Sequence, residues 1–169
     1  MAINYPLTLP TVTGVRSIEL QASNAVAISR SPFTFASQVH AYSGQMWSAS
    51  LTLPPMKLTA ARQWTAWLTS LRGQYGSFLL GDTSSSQISG TATSASVTGV
   101  AGDNTVTVTS NGTILAGDMI QIGPDSDATL HKVLADQSGN GSLEIWPALR
   151  KVRTAVSLTL TDAKGAFRL

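Results

Sequence analysis

The stretch QWTAWLTSLRGQYGSFLLGD, residues 63–82, places two Trp three residues apart in a chain whose other apolar residues alternate in short runs. Four of its large side chains recur at the i, i+3, i+4 and i+7 spacing of one helical face. Burying such a face against a sheet contributes roughly 1.5–3 kcal/mol for each large side chain. We therefore predict a single core-packing helix whose buried face consists of Trp64, Trp67, Leu68 and Leu71.

The ends of this helix are marked by cap residues. Thr59 is a suitable N-cap, and Gly73 stands where a left-handed residue commonly ends a helix. The helix is therefore predicted over residues 60–72. The apolar run that follows is predicted to be a strand that ends at a Gly81-Asp82 turn.

Upstream of the helix the pattern indicates extended structure. Pro6 and Pro10 favour an extended arm or an edge segment. Residues 33–41 and 47–53 alternate apolar and polar side chains, and Ser-Gly-Gln at 43–45 separates them. A short Gly-containing turn between two alternating runs predicts a β-hairpin. We expect the helix to pack on the sheet that contains this hairpin.

Downstream of Asp82 the composition shifts. Residues 83–96 are rich in Ser and Thr and poor in apolar residues, as in a linker or a solvent-exposed excursion. Residues 97–150 carry several short alternating runs separated by turn residues, with no helical pattern. Short strands at close spacing are typical of a small β-barrel or a small β-sandwich, and the pattern leaves both open.

The last alternating run, AVSLTLTD at 155–162, is similar in texture to SASLTLPP at 48–55, so we expect it to return to the first sheet. The predicted fold class is mainly β. A β-sandwich with one packed α-helix is formed by residues 1–86 with 152–169, and residues 87–151 form an inserted small β-barrel or β-sandwich module. A surface turn such as Gly81-Asp82 is a position that tolerates an insertion.

Charged residues make up 12% of the chain, about half of the roughly 25% typical of globular domains. Surfaces covered by hydroxyl and amide groups suit proteins that bury much of themselves against partners, because charges resist burial in interfaces. The chain has 11 Lys and Arg against 9 Asp and Glu, without a long basic run, so we expect no nucleic-acid readout. No stretch approaches the ~20 apolar residues of a membrane span.

The sequence lacks the residue patterns on which catalytic and metal sites depend. His40 and His131 stand alone, without a nucleophile elbow, and Glu19 is far from Glu144. The DSD at 125–127 is not followed by the glycine and glutamate of an EF-hand loop, and the chain contains no cysteine. We therefore predict a protein that is not an enzyme, with no catalytic residue, cofactor or metal site.

Three residues near the end of the predicted insert are candidates for partner contacts. Trp146 is the only Phe, Trp or Tyr between residues 87 and 151. One ring is less than a sugar-stacking platform, so packing in a core or an interface is favoured for it. Arg150 and Arg153 belong to RKVR, the densest basic cluster, which suits either a solvated loop or a charged subunit contact.

The order of these parts resembles the distal tail protein or minor tail protein family of long-tailed bacteriophages, the siphophages. In that family too, a strand is followed by one helix with spaced aromatic and leucine residues, then by a Gly-x-Phe-type strand and a turn. The segment LAGDMIQIG, with the residues that follow it up to Arg150, is similar to a module of related tail proteins. The resemblance is carried by YSGQMWSASLTLPPM at 42–56, LTAARQWTAWLTSLRGQYGSFLLGD at 58–82 and SLTLTDAKGAFRL at 157–169.

The resemblance implies a structural virion protein of the tail tip, assembled in the cytoplasm of the bacterial host. Family members form rings, commonly hexamers, that join the tail tube to the baseplate or tip hub through a tail-tube-like β-sandwich. The implied partners are other copies of the chain, the tail tube protein and the tip hub protein, with the N-terminal arm and the hairpin making subunit contacts. The insert is smaller than the carbohydrate-binding domain of larger members, and this departure argues against direct host recognition. The alternative hypothesis is a module of the tail that binds a glycan or protein of the host surface.

Overall fold

The computed structural model describes residues 3–82 and 86–169, and a long antiparallel hairpin occupies its N-terminal half. The first strand, β1, spans Ser17–Arg30, and the second, β2, spans Ser37–Thr52. They pair from Ser17 opposite Thr52 to Arg30 opposite Ser37, with one interruption at residues 25 and 42–44. The N-terminal half is thus extended, as predicted, but its strands are longer than the alternating runs indicated.

The predicted hairpin turn at 43–45 is wrong, because these residues lie inside β2. The chain reverses at 31–36 instead, where the Ser31 amide donates to the Ala36 carbonyl at 2.9 Å. Gly44 marks an irregularity within the pairing: the β1–β2 register shifts beside it, and a Cβ on Gly44 would lie 3.0 Å from that of Ala25. A glycine inside an alternating run fits a bulge as well as a turn, so the pattern alone favoured the wrong position.

Helix α1 spans Leu58–Ser70, and a short strand, β3, follows it at Phe78–Gly81. The helix begins earlier than predicted because Lys57, extended after two prolines, is its N-cap, which places Thr59 in the first turn. It also ends earlier, since Arg72 already adopts a left-handed φ of 52° before Gly73 does so at 67°. The left-handed conformation predicted for Gly73 is confirmed.

The predicted core face of α1 is only partly buried. Trp64 is 4% exposed and Leu71, just beyond the helix, is fully buried. Trp67 is half-buried and packs edge-to-face on Phe78, with ring centroids 5.3 Å apart. Leu68 is wrong as a core residue, because 43% of it is exposed along an open groove beside β2.

Six strands after residue 86 close into an antiparallel barrel. In chain order, these strands and a short pair outside the barrel are β4 Ala95–Gly99, β5 Thr105–Ser110, β6 Thr113–Ile114, β7 Met119–Ile122, β8 Thr129–Val133, β9 Gln137–Ser138, β10 Gly141–Trp146 and β11 Arg153–Thr159. Around the barrel the order is β10-β5-β4-β11-β7-β8, and β6 pairs with β9. Of the two predicted alternatives for this region, the structure therefore has the barrel.

The barrel encloses an apolar core to which β11 contributes. β11 pairs with β4 on one side and β7 on the other, so the expectation that this run returns to the first sheet is wrong. A boundary at residue 152 would cut the barrel. Periodicity shows that a run alternates, but not which sheet it joins. The buried core residues are Ala92, Val97, Val106, Val108, Ile114, Ile120, Ile122, Val133, Leu143, Ile145, Leu149, Leu158 and Leu160.

The last strand, β12, spans Lys164–Phe167, leaves the barrel and pairs with β3. It is the part of the C-terminal segment that does return to the first half of the chain. We call β1, β2, α1, β3 and β12 the hairpin–helix unit. One cluster of its buried residues consists of Leu71, Phe78 and Leu80, with half-buried residues of β1 and β2 packed around them. The fold is mainly β, with one α-helix and one closed barrel in the part of the chain that the structure describes.

Candidate functional site

The outer part of the hairpin, residues 25–43, projects away from the rest of the chain, and we call it the free arm. All of its residues except Ser31 are exposed, on both faces of the two-stranded sheet. From Asn24 to Arg30 the six steps of β1 correspond to about 20 Å of extended strand, and β2 covers the same distance from Gln45 to Ser37 with two extra residues at the bulge. The free arm is therefore a long two-stranded surface that is exposed to solvent on both faces.

The composition of the free arm is unusual for exposed structure. Both outer edges carry unpaired backbone groups, and isolated two-stranded hairpins are marginally stable in water. Exposed edges are normally protected by charges, but Arg30 is the only Lys, Arg, Asp or Glu in the free arm. Its exposed large apolar and aromatic residues are Val26, Ile28, Phe33, Phe35, Val39 and Tyr42. These properties are those of a surface that becomes covered on assembly.

The tip of the free arm, residues 31–36, presents two phenylalanines to solvent. Phe33 is 91% exposed and Phe35 is 67% exposed. The Arg30 guanidinium lies 5.4 Å from the Phe35 ring centroid, and Phe35 has a left-handed φ of 55°. A bulky residue at positive φ is uncommon and costs on the order of 1–3 kcal/mol, a form of strain that concentrates at functional positions.

The base of the free arm is bound to the barrel by polar contacts beside the bulge. The Trp146 indole Nε1 donates to Asn24 Oδ1 at 2.8 Å. Gln45 Oε1 accepts from the Ala148 amide at 2.7 Å and from Asn104 Nδ2 at 3.2 Å. Because these contacts come from both strands of the hairpin, they fix the direction in which the free arm leaves the barrel.

Aromatic packing reinforces this junction. The rings of Trp47 and Trp146 meet edge-to-face with centroids 4.5 Å apart, and Trp47 Nε1 donates to the Leu130 carbonyl at 2.9 Å. Such pairs add about 0.5–1.5 kcal/mol beyond the area they bury. The junction therefore joins β2 of the hairpin–helix unit to β8 and β10 of the barrel.

The structure places the three predicted partner residues in contacts within the chain. Trp146 packs on Trp47, and Arg150 donates to the Gln45 carbonyl at 3.2 Å, so both lie at the junction. Arg153 is buried, and its Nη1 binds Asp127 Oδ2 at 3.0 Å. Their internal contacts make them structural residues of the chain, and the free arm, which sequence reasoning did not single out, carries the exposed apolar surface.

A second apolar surface lies beside the hairpin base, between β2 and α1, and we call it the β2–α1 groove. Its volume is about 620 Å³, and Arg168 is the only charged side chain among its described lining residues. Arg168 turns its Nη1 to the Gln74 carbonyl at 2.9 Å. The groove's apolar lining includes Met46, Trp47, Trp67, Leu68, Phe78 and Phe167.

His131 is a buried titratable group of the barrel. Its Nδ1 donates to the Pro147 carbonyl at 2.7 Å, and its Nε2 lies 2.9 Å from Thr129 Oγ1. Burial, with a smaller effect from the positive charges of Arg153 and Arg150, lowers the pKa of His131 to about 4, against the opposing effect of the hydrogen bond to the Pro147 carbonyl. The imidazole is therefore neutral near pH 7 and acts as a hydrogen-bonded part of the core.

The hydrogen bond from Lys151, and the charges of both Lys151 and Arg153, lower the pKa of Asp127, against the effect of its partial burial. This carboxylate ties β11 to the turn between β7 and β8. Within the described ranges, no three His, Cys, Asp or Glu residues are placed to hold a metal ion together.

The sequence did contain a signal for the tip. Ser31-Pro32 is a dipeptide that favours turn initiation, and it immediately precedes Phe33. The same residues, from Phe33 through Ala41, also alternate, and this alternation predicts a strand where the Ser-Pro dipeptide predicts a turn. Exposure on both faces depends on what lies above and below the sheet, which local sequence does not reveal.

Comparisons with known proteins identify no family for the chain. Among residues 3–82 and 86–169, no helix has both the length and the apolar character needed to cross a membrane. No protein-family model matches the chain, and no curated protein matches it.

Proposed function

We propose that the chain is a structural subunit that assembles with copies of itself into a closed ring through the free arm. The observation that carries this proposal is the arm itself: nineteen residues, 25–43, nearly all exposed, with one charged side chain and an aromatic tip. A standard protein interface takes about 20–30 residues from each side, so the free arm supplies most of one side. Burying each large apolar side chain would contribute roughly 1.5–3 kcal/mol toward the cost of association.

We further propose that this ring belongs to the tail tip of a long-tailed bacteriophage, where it joins the tail tube to the baseplate or tip hub. The support for this step is the resemblance of segments 42–56, 58–82 and 157–169 to distal tail proteins. In the ring, the β1–β2 sheet and the β3–β12 sheet would act as the β-sandwich that the resemblance implies, with α1 packed on it. Six copies is the expected number, with the tail tube protein and the hub protein on the two faces.

The sparse core of the hairpin–helix unit also supports assembly. Six of its described apolar residues are buried, against thirteen in the barrel core, while Trp67 and Leu68 retain exposed surface; the six are Ala60, Trp64, Leu71, Phe78, Leu79 and Leu80. A unit with so few buried residues is stabilised when a neighbour covers the remainder. The barrel has its own closed core and would project from the ring as a compact module.

A shortened hairpin tests the proposal. Asn24 and Gln45 lie opposite each other, so replacing residues 25–44 by Asn-Gly would join them through a two-residue hairpin turn and keep the junction. We expect the full chain to form rings at tens of micromolar, seen by light scattering and negative-stain imaging, and the shortened variant to be a monomer with an unchanged barrel melting transition. A full chain that stays monomeric at that concentration would contradict the proposal.

A further inference from the structure

We propose that the tip of the free arm docks in the β2–α1 groove of the next copy, with Phe33 and Phe35 as its anchors. This inference rests on the proposed ring and adds the surface that receives the arm. In this arrangement, the exposed tip of one copy binds the exposed apolar groove of its neighbour. Each copy then donates one tip and receives one.

The tip does not reach the groove of its own chain. The groove is lined by Met46 and Trp47, which belong to the base of the same strand that carries the tip. The tip lies about 20 Å further along the hairpin. To reach the groove of its own chain, the hairpin would have to fold back on its base and break the strand pairs on either side of the bulge. A tip that docks in the groove therefore comes from another molecule.

The groove matches the tip in chemistry and in size. Trp47, Trp67 and Phe167 line it, and aromatic rings favour edge-to-face contacts with further aromatic rings. A volume of about 620 Å³ lies within the ~300–1,000 Å³ range of sites that hold a molecule of several rings. Leu68, which is 43% exposed on the groove wall, would be covered by the docked tip.

The second copy of the chain is the occupant that this arrangement favours. The tip and the groove are different surfaces of one molecule, so their contact is heterologous and repeats from copy to copy until the ring closes. The free arm also brings most of the residues that one side of a stable interface needs, because its nineteen residues, 25–43, include the docked tip and the strands behind it. One contact thus covers both the exposed tip and the open wall of the helix.

Engineered cysteines test this contact, because the chain contains none of its own. Thr34→Cys lies at the tip between the two phenylalanines and leaves both in place, and Leu68→Cys lies on the groove wall. A disulfide needs Cα atoms about 4.4–6.8 Å apart, so it reports direct proximity. We expect the double variant, on mild oxidation, to give a ladder of cross-linked oligomers on non-reducing gels that dithiothreitol abolishes.

The matched control pairs Thr34→Cys with Ser142→Cys, an exposed position on the outer face of the barrel. We expect no ladder from this pair. If rings form but the Thr34–Leu68 pair gives no more cross-linking than the control, the docking proposal is overturned while the ring stands. If no oligomer forms at any concentration tested, the ring itself is refuted and the docking with it.

A second measurement does not depend on disulfide geometry. Replacing Phe33 and Phe35 together by Ser removes both anchors from a fully exposed tip, so the monomer should fold as before. Interface anchors typically contribute 2 kcal/mol or more, so the concentration for half-assembly should rise roughly 30-fold or more. An unchanged half-assembly concentration would overturn the docking proposal.

Discussion

The barrel and the hairpin–helix unit are made of similar alternating strands, but they bury their apolar residues to different extents. In the barrel, every strand has two neighbours, and the inward residues of six strands meet in one closed core. In the hairpin–helix unit, β1 and β2 pair only with each other, and much of their length is exposed on both faces. The same alternation therefore gives a closed apolar core in the barrel and exposed apolar surface in the hairpin–helix unit.

The difference shows how this chain separates stability from assembly. A closed sheet satisfies its own edges and side chains, so the barrel needs no partner to be stable. The free arm has unpaired edges and exposed rings, which a partner would cover. We expect substitutions in the barrel core to change unfolding, and substitutions in the free arm and the β2–α1 groove to change association.

The largest expected effect compares two isoleucines. Ile145→Ala, at a fully buried barrel position, should lower the free energy of unfolding by about 2–5 kcal/mol, because it leaves a cavity. Ile28→Ala, at a position that is 69% exposed in the free arm, should change it by less than about 0.5 kcal/mol. Urea unfolding of dilute protein measures both. Equal losses of unfolding free energy for the two variants would contradict the difference in burial between the barrel and the free arm.

A smaller effect follows from the neutral His131 in the barrel core. Its pKa is about 4 in the folded chain against an ordinary value of 6.5, so the unfolded chain takes up a proton first as the pH falls. The stability that His131 provides is therefore complete above pH 6.5 and is lost as the pH falls from there to about 4, by roughly 3 kcal/mol in total. Urea unfolding at intervals between pH 7 and pH 4 measures this slope.

His131→Asn should abolish the pH dependence in that window, while His40→Asn, in the exposed free arm, should leave it intact. Asp127 contributes outside the window, because its lowered pKa makes its stabilisation present above its ordinary value of 3.8 and lost only below it. An unchanged slope in the His131 variant would show that another group of the chain carries the transition.

A smaller effect on unfolding than that of His131 is expected at the groove wall. Leu68→Ala removes a partly exposed side chain and should lower the free energy of unfolding by less than about 1 kcal/mol, whereas Leu71→Ala, at a fully buried position, should cost about 2–5 kcal/mol. Assembly should weaken in the Leu68 variant despite its stable monomer, as measured by light scattering across a dilution series. A large loss of monomer stability in the Leu68 variant would show that Leu68 packs in the core of the monomer.

Local sequence patterns predicted the elements better than their associations. The helix, the strand that follows it, the left-handed Gly73 and the β-rich region after residue 86 all rest on interactions between near neighbours in the chain. The misplaced hairpin turn at 43–45 and the misassigned β11 share one cause. Alternation indicates that one face of a strand is apolar. The position of a bulge and the identity of the partner strand depend on segments that are distant in sequence.

The candidate site was predictable only in part for the same reason. Composition made Trp146 and Arg150 candidates for partner contacts, with core or interface packing favoured for Trp146; the structure places both at the junction with Asn24 and Gln45. Phe33 and Phe35 look like ordinary strand residues, and they become a surface feature because nothing in the chain lies over them.

By itself, the amino-acid sequence determined a mainly β chain with one helix, few charges and no cysteine, because propensity, periodicity and composition act locally. The tertiary structure alone decided that β11 closes the barrel, that Leu68 faces a groove and that the hairpin projects with an aromatic tip. These outcomes depend on which distant segments pack together, since burial is a property of the assembled surfaces and not of a residue's neighbours in sequence.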